Sequence, residues 1–206
     1  MYKKAALIFP LALMSQLSLA DWVKDAAQQN ENQVIQLRQH IHEHPELGNM
    51  EFKTSALVQK ELKSYGIQVK TGYAKTGVIG ILKGNKPGPI IALRADMDAL
   101  PMEEKSGVPF ASKQKAIYQG KETYVMHACG HDGHIAIGLG VAEGIIRFKE
   151  YLSGTIKLIF QPGEESVCGG NPMAQSGILD DVDYLLSGHI GIKARKSGEI
   201  ICGTKG

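Results

Sequence analysis

The sequence lacks a strong excess of charge of either sign, a long apolar run beyond its first residues, and an even number of cysteines. Its 206 residues carry 23 basic and 21 acidic side chains, a formal net charge of +2, which offers no basic surface for nucleic acid. Hydrophobic residues at 43% and charged residues at 21% argue against a disordered chain, a coiled coil and a multi-span membrane protein. Glycine is abundant, with 24 residues against an average usage of about 7%, and this predicts many tight loops.

Residues 1–20 are predicted to be a secretory signal peptide. Lys3 and Lys4 form a positive start, residues 5–14 form an apolar run, and residues 18–20 read Ser-Leu-Ala, as signal peptidase prefers. The apolar run is too short to be a stable membrane anchor. An uncleaved amphipathic start is the alternative. We therefore expect a periplasmic or secreted protein without membrane attachment after cleavage, in which residues 21–206 form the folded, mature part and carry no formal net charge.

Three cysteines cannot all pair within one chain. In an oxidising compartment at least one of them must be free, bound to a metal or paired between chains. Cys129 lies in a histidine-rich segment and is the candidate for metal binding. Cys168 and Cys202 could pair with each other, and the sequence leaves that open.

Helical and strand-like segments alternate along the chain. Apolar residues recur at three- and four-residue spacings in the helical segments, and short apolar runs bounded by glycine or proline mark the strands. We predict helices at 21–44, 51–65 and 133–151, strands at 67–70, 78–83, 89–95, 155–160, 184–187 and 199–202, a possible short strand near 124, and a hairpin-type turn at 84–88. This order predicts an α/β fold with a central mixed, largely parallel sheet flanked by helices.

The densest group of reactive side chains is segment 126–134, MHACGHDGH. Cys129 and His131 are two residues apart, a spacing that points both side chains the same way on an extended or looping backbone. They can therefore share one metal ion, with Gly130 and Gly133 letting the backbone bend around it. Thiolate and imidazole ligands suit zinc, manganese, nickel or cobalt. A solvated histidine loop is the alternative.

Glu164 and Glu165 directly follow the predicted strand at 155–160. Sites in open α/β sheets form just beyond the carboxyl ends of strands. Adjacent residues cannot be equal ligands of one ion, so we expect one carboxylate to bind metal and the other to be a free general base. An exposed acidic turn is the alternative.

Two further predicted strand ends carry polar side chains. Asp96 and Asp98 follow the strand at 89–95 and alternate so that both lie on one side of an extended segment. His189 follows the strand at 184–187. We expect these strand ends to gather with the cysteine–histidine loop into one metal centre.

The other histidines are interpreted as structural. His40 and His44 have a spacing that can hold a metal on a helix, but Pro45 truncates that turn, so we expect surface or packing roles. His127 and His134 lie near the metal loop and are expected to support it.

In combination, these motifs resemble the N-acyl-amino-acid amidohydrolases, the family that includes hippurate hydrolase and plant auxin-conjugate hydrolases. That family belongs to the aminoacylase/carboxypeptidase group of dinuclear metallopeptidases. The matching segments occur in the family's order and cover nearly all of residues 31–206. They are RQHIHEHPE at 38–46, ALRADMDALP at 92–101, HACGHDGH at 127–134, FQPGEE at 160–165 and GHI at 188–190.

The resemblance implies two divalent metal ions, Zn, Mn, Ni or Co, and a set of residues that serve them. The implied ligands are Cys129, His131, Glu165 and His189. The implied catalytic residues are Glu164, as the base, and Asp98, which supports the site from behind the ligands. Asp96 stands where related peptidases carry a metal-binding histidine, so it is not expected to be a ligand.

Members of that family are much longer than this chain. They contain an inserted lid and dimerisation domain, and then a return to the catalytic domain that supplies a last histidine ligand. We therefore expect residues 21–206 to be an N-terminal portion of the metallopeptidase catalytic domain, with a weakened metal site and reduced or absent activity. A homodimer is expected only for the full-length type.

The function implied by the resemblance is metal-dependent hydrolysis of the amide bond in small N-acyl amino acids of the hippurate kind. Three alternatives remain open. The same centre could serve a metallo-carboxypeptidase or dipeptidase, Cys129 and His131 could form the dyad of a cysteine hydrolase, or the chain could be a non-catalytic metal-binding fragment.

Overall fold

The computed structural model describes residues 19–165, 169–191, 196, 198–201 and 203. The helices are α1 (Leu19–Glu43), α2 (Phe52–Ser64), α3 (His131–Ile146) and α4 (Gly170–Gln175), with a short 3-10 helix at Lys149–Tyr151. The strands are β1 (Gln68–Tyr73), β2 (Gly77–Lys83), β3 (Lys86–Asp96), β4 (Lys115–Tyr118), β5 (Lys121–Tyr124), β6 (Ser153–Gln161) and β7 (Tyr184–Ser187). The predicted signal segment lies almost entirely outside the described residues and stays a prediction.

Five strands form one sheet in the order β1-β2-β6-β3-β7, and β4 pairs with β5 in a separate ribbon. The pairs β1–β2 and β2–β6 are antiparallel, whereas β6–β3 and β3–β7 are parallel. The expectation of a mixed sheet flanked by helices is confirmed, although its pairs divide evenly between the two directions. The parallel half matters for function because three carboxyl ends meet at the same edge.

The predicted hairpin at 84–88 is wrong, because β6 lies between β2 and β3. Thr155 of β6 is in register with Lys83 on one side and with Ile90 on the other. The glycines in this segment serve a close approach between backbones. A Cβ at Gly84 would lie 2.2 Å from the carbonyl oxygen of Leu152, just before β6.

The last predicted strand is also wrong over its described residues. Positions 199–201 are not in a strand, and Cys202 lies outside the described residues. An apolar run of this length needs a neighbouring strand edge to pair with, and the sequence does not show whether one is within reach.

Helix α3 packs against both the sheet and α1, and the cysteine–histidine loop leads into its first residue, His131. Its residues Ile135 and Leu139 are fully buried against the core that includes Leu62 of α2 and Phe160 of β6. Helix α1 approaches α3 closely at Gly140, where a Cβ would lie 2.6 Å from the side chain of Val34. A second core of Ile79, Ala92, Ile159, Met173 and Ile178 covers the other face of the sheet.

Among the described helices, none combines the length and the apolar character needed to cross a membrane.

Candidate metal centre

The carboxyl ends of β3, β6 and β7 bring three predicted groups to one edge of the sheet. Asp96 is in register with Gln161 of β6, and Arg94 is in register with Ser187 of β7. The chain leaves each strand within a few residues of that line. The aspartates, the two glutamates and His189 therefore meet beyond the same edge, as expected for an open α/β sheet.

The cysteine–histidine loop arrives from outside this sheet. It follows the β4–β5 ribbon, and Met126 exchanges backbone hydrogen bonds of 2.9 and 3.0 Å with Leu100, which follows the β3 aspartates. Gly130 has φ 86 and precedes the first residue of α3, His131. A positive φ favours glycine, so the predicted bend at Gly130 is confirmed. Gly133 is helical instead, and a Cβ there would lie 2.5 Å from the Ile190 side chain, so its role is to make room.

Asp98 connects the segment that carries Glu164 and Glu165, called the glutamate loop below, to the cysteine–histidine loop. Its side chain is 1% exposed, and its two oxygens accept the backbone N–H groups of Glu164 at 2.8 Å and Glu165 at 2.9 Å. Its carbonyl oxygen accepts the Nδ1–H of His131 at 2.8 Å. Because both carboxylate oxygens are already bonded, the geometry fits a supporting role for Asp98 rather than metal ligation.

These bonds direct unpartnered atoms of His131 and Glu165 toward each other. Since Nδ1 of His131 donates to a carbonyl, Nε2 carries the free lone pair. That Nε2 and Oε1 of Glu165 are buried, have no hydrogen-bond partner among the described residues and lie 3.8 Å apart. Buried polar atoms are nearly always bonded, so two that face each other across a gap fit a bound cation.

Among the residues that the structure describes, two groups of side chains could hold a metal ion, and His131 belongs to both. In each group the candidate ligand atoms lie within 4.8 Å of one another. The first group is Cys129, His131 and Glu165; the second is Asp96, His131, His134 and His189. The four predicted ligands are all present across the two groups. Thiolate, imidazole and carboxylate ligands together suit zinc and related transition metals.

His134 has both ring nitrogens engaged, which agrees with its predicted supporting role. Its Nδ1 hydrogen-bonds the buried carboxylate of Asp96, and its Nε2 accepts the backbone N–H of Ile190 at 2.8 Å. Arg94 lies 2.9 Å from the other oxygen of Asp96. Asp96 was not predicted as a ligand, yet it lies within the second group, where it also faces His131 at 3.6 Å.

Cys129 and His189 close the site on its exposed side. The Cys129 sulfur lies 3.6 Å from Nε2 of His189, while Nδ1 of His189 donates to the Ile190 carbonyl at 2.7 Å. Burial raises the pKa of Cys129 to about 12, with further contributions from Glu165 and other nearby carboxylates. A thiol held in its protonated form does not fit the cysteine-hydrolase alternative, whereas a cation beside it would favour the thiolate.

The two adjacent glutamates have different surroundings. The side chain of Glu165 is 18% exposed and faces His131, whereas Glu164 is exposed. Within the part of the chain that the structure describes, the Glu164 carboxylate makes no hydrogen bond or ion pair. The expected division of labour is therefore geometrically possible, and the assignment of the two roles stays a prediction.

A buried hydrogen-bond network behind the cysteine–histidine loop was not predicted from the sequence. His42 of α1 bonds Asp132 at 2.9 Å through Nδ1 and Glu104 at 3.0 Å through Nε2. Arg38 reaches the same oxygen of Asp132 at 3.0 Å. The hydrogen bond to Asp132, opposed by burial and aided by Glu104, raises the pKa of His42. The available signal was the 38–46 motif, whose basic residues recur at the four-residue spacing of one helix face.

The remaining histidines divide as expected. His40 and His44 are exposed neighbours on α1, and Nδ1 of His44 donates to the His40 carbonyl at 2.8 Å. His127 is buried, and neither of its ring nitrogens is hydrogen-bonded within the described part of the chain; burial lowers its pKa to about 4, so it is neutral. Cys168 and Cys202 lie outside the described residues, and so does the question of their pairing.

A cavity of about 630 Å³ opens beside Cys129, between α1 and the start of α3. Its walls include the apolar side chains of Val34, Ile35, Ala136, Ile137 and Ile190. Arg38 and His127 also line it. The site therefore combines candidate ligands with an adjoining, mainly apolar space.

The sequence profile of peptidase family M20/M25/M40 matches residues 92–205, which contain all the candidate ligands. Thermostable carboxypeptidase 2 of Saccharolobus solfataricus is 44% identical over 90% of this chain and 47% of its own length. The N-acyl-L-amino acid amidohydrolase of Geobacillus stearothermophilus is 40% identical over 82% of this chain and 44% of its own. The chain thus spans about half the length of these curated relatives.

One solved structure is similar to this chain in both fold and sequence. The YXEP protein of Bacillus subtilis, described as a dinuclear metal-binding peptidase, superposes with a TM-score of 0.72 at 37% identity. The likeness covers 79% of this chain and 44% of the YXEP chain. The partial coverage agrees with the expectation of an N-terminal portion.

Proposed function

The chain belongs to peptidase family M20/M25/M40, and from this premise we propose that the protein hydrolyses the amide bond of N-acyl amino acids with two divalent metal ions. The observation that carries the proposal is the placement of Glu164 and Glu165. Asp98 fixes their consecutive backbone amides, the Glu165 side chain faces the candidate ligands, and the Glu164 side chain makes no bond to any described residue. That is the arrangement that metal-assisted hydrolysis with a separate general base requires.

The ligand set proposed for the two ions is Cys129, His131, Glu165 and His189. His131 belongs to both candidate groups and offers Nε2 because its Nδ1–H is held by the Asp98 carbonyl. A bound divalent ion would supply Lewis acidity, polarising the scissile carbonyl and making water a better nucleophile near neutral pH. Every other part of the chemistry falls to side chains of the protein.

Glu164 is the proposed proton carrier. Its free carboxylate takes a proton from the attacking water and later gives it to the leaving amine. Asp98 keeps this carboxylate in place through the Glu164 backbone amide. His134 holds Asp96 and the Ile190 amide, and so fixes the segment that carries His189.

An apolar acyl group is the proposed occupant of the cavity beside Cys129. The walls from α1, α3 and Ile190 are mainly aliphatic, and an apolar pocket with a few polar groups at its end is the usual form of a small-molecule site. The name of the Geobacillus relative supports N-acyl amino acids as substrates.

A second candidate is peptide hydrolysis at the same centre. The observation that favours it is the name of the 44% identical relative, a carboxypeptidase. A panel of acyl amino acids, including hippurate, and of dipeptides with the same C-terminal residue separates the two. Higher kcat/KM on the dipeptides would overturn the amidohydrolase proposal and leave the metal centre standing.

Replacing Glu164 by Gln tests the mechanism. Losing a general base costs roughly 10²–10⁴-fold in rate, so we expect kcat to fall by that amount while metal content, measured by elemental analysis, is unchanged. Glu150→Gln, at an exposed glutamate of the 3-10 helix, is the matched control and should keep full activity. Normal turnover in Glu164→Gln would contradict the assignment.

Export is part of the same proposal. If residues 1–20 are a signal peptide, the mature protein begins at Asp21 and is found in the periplasm or the medium. N-terminal sequencing of the protein from cell fractions tests this, and a cytoplasmic chain that keeps Met1 would contradict it.

A further inference from the structure

Glu51 is a buried acid to which neither the matched motifs nor the proposed mechanism assigns a role. Its side chain is 0% exposed, which is rare for a carboxylate unless it is bonded. It sits at the residue before α2 but makes no capping bond to that helix. Glu46 performs the capping instead, accepting the backbone N–H of Thr54 at 2.8 Å and that of Lys53 at 3.2 Å. The start of α2 therefore does not need the Glu51 carboxylate.

Both Glu51 oxygens are directed to other parts of the fold. Oε1 accepts the backbone N–H of Gly163 at 2.8 Å, and Oε2 accepts the hydroxyl of Thr76 at 2.6 Å. Gly163 is 112 positions away along the chain and immediately precedes the two glutamates. It has φ 57, so the backbone turns sharply at this residue.

Three consecutive amides are thereby held by two buried carboxylates. Gly163 donates to Glu51, while the next two residues donate to Asp98. Fixing both ends of a short turn removes the rotation that one carboxylate alone would leave, since a single anchor lets the preceding peptide pivot. The direction of the Glu164 and Glu165 side chains depends on that peptide.

We infer that Glu51 is a positioning residue, which acts through the Gly163 amide to set the glutamate loop for metal binding and proton transfer. This rests on the proposed function for the roles of Glu164 and Glu165. It adds the residue that immediately precedes α2 to a site otherwise built from strand ends and the cysteine–histidine loop. Its contribution is the acceptor at Oε1; the contact with Thr76 orients the carboxylate.

The test compares three variants. Glu51→Leu keeps the approximate volume but removes the acceptor, whereas Glu51→Gln retains an oxygen for Gly163. Thr76→Val removes the hydroxyl at the other oxygen and leaves the Gly163 bond intact. Each purified variant is titrated with Co²⁺, whose thiolate and imidazole absorption bands report binding, and then assayed for kcat and KM.

Loss of a residue that orients ligands typically costs about 10–100-fold in metal affinity or activity. We expect that loss in Glu51→Leu, in Co²⁺ affinity and in kcat with KM unchanged, and recovery of most of it in Glu51→Gln. Thr76→Val should lose much less. Wild-type Co²⁺ affinity and kcat in a folded Glu51→Leu would overturn the inference, as would equal losses in Glu51→Leu and Thr76→Val.

A measurement without metal separates this inference from the proposed function. Hydrogen exchange of the Gly163 amide, followed by NMR in the metal-free protein, should be faster in Glu51→Leu relative to core amides of β6. Unchanged protection would overturn the inference even if Glu164→Gln behaves as proposed. Turnover by Glu164→Gln would instead overturn the base assignment and leave the Glu51 result interpretable.

Discussion

The candidate metal centre has a buried side, made by Asp98 and His131, and an exposed side, made by Glu164 and His189. On the buried side, the Asp98 carboxylate accepts two backbone amides and its carbonyl fixes the His131 ring. On the exposed side, His189 is held by a bond to its neighbour Ile190, and the Glu164 carboxylate has no bond among the described residues. The buried side is oriented by the fold itself, while the exposed side is left free for metal and substrate.

The two sides should differ most in how much they contribute to the stability of the metal-free protein. Asp98→Ala leaves two backbone amides without an acceptor and takes the buried carboxylate away from His131, and removing one member of a buried charged network costs about 3–5 kcal/mol. His189→Ala, at an exposed site, should change the free energy of unfolding by less than about 0.5 kcal/mol. Urea denaturation in EDTA measures both. Equal losses would show that the two sides are held alike.

Added metal should bind residues of both sides and so raise the Tm of the protein. A ligand at 100 times its Kd stabilises a protein by about 2.7 kcal/mol, so Zn²⁺ or Co²⁺ should raise Tm measurably. The shift should be reduced in Glu165→Gln and in His189→Ala, which remove ligands from either group. Glu164→Gln, whose side chain is proposed to stay off the metal, should keep the shift. Loss of the shift in Glu164→Gln alone would reverse the roles of the two glutamates.

The His42 network supports the buried side in a pH-dependent way. The pKa of His42 is raised above its ordinary value by Asp132, so the stability it provides is fully present below about pH 6.5 and is lost as pH rises through the higher folded value. His42→Gln should cost about 1.5–3 kcal/mol near pH 5.5 and less near pH 9.

Urea denaturation at both pH values measures this, with His40→Gln, an exposed histidine of the same helix, as the control. Burial alone would raise the pKa of Asp132, but the bond from His42 and nearby cationic groups bring it below its ordinary value. The aspartate therefore stays charged across this range. A cost that does not vary with pH would contradict an ion pair.

The smallest expected effect is on the alkylation rate of the Cys129 thiol. Because burial raises the pKa of Cys129 to about 12, its alkylation by iodoacetamide in the metal-free protein near pH 8 should be at least about tenfold slower than in the urea-unfolded chain. Mass spectrometry of the peptide that contains Cys129 separates it from the other two cysteines. A fast reaction in the folded protein would restore the cysteine-nucleophile alternative.

The ligand-bearing segments could be predicted from the sequence because each is local. Cys129 and His131 stand two residues apart, and Glu164 and Glu165 follow an unmistakable apolar strand, so neighbouring residues alone indicated the chemistry. The three long helices and most strands followed from periodicity for the same reason, whereas the short helix α4 was not predicted. The pairing of strands β2 and β3 was predicted wrongly. Residues 84–88 resemble a hairpin turn in the sequence, but β6 lies between the two strands, and the glycines allow a close backbone contact there.

Residues that act at a distance along the chain were not predictable in this way. Glu51 reaches Gly163, and His42 reaches Asp132, across 112 and 90 positions. Nothing near Glu51 in the sequence distinguishes it from an exposed glutamate at the start of a helix. Its burial and its partner are consequences of how α2 packs beside the sheet.

Residue type and local spacing were enough to predict which side chains could bind metal and which could carry a proton. Which atoms of these side chains remain available for a ligand depends on the packing of the whole fold. The Asp98 carboxylate accepts two backbone amides, whereas Nε2 of His131 and Oε1 of Glu165 face each other without hydrogen-bond partners among the described residues. The physical reason is that hydrogen-bond satisfaction in a buried site depends on every element packed around it, and no local pattern contains that information.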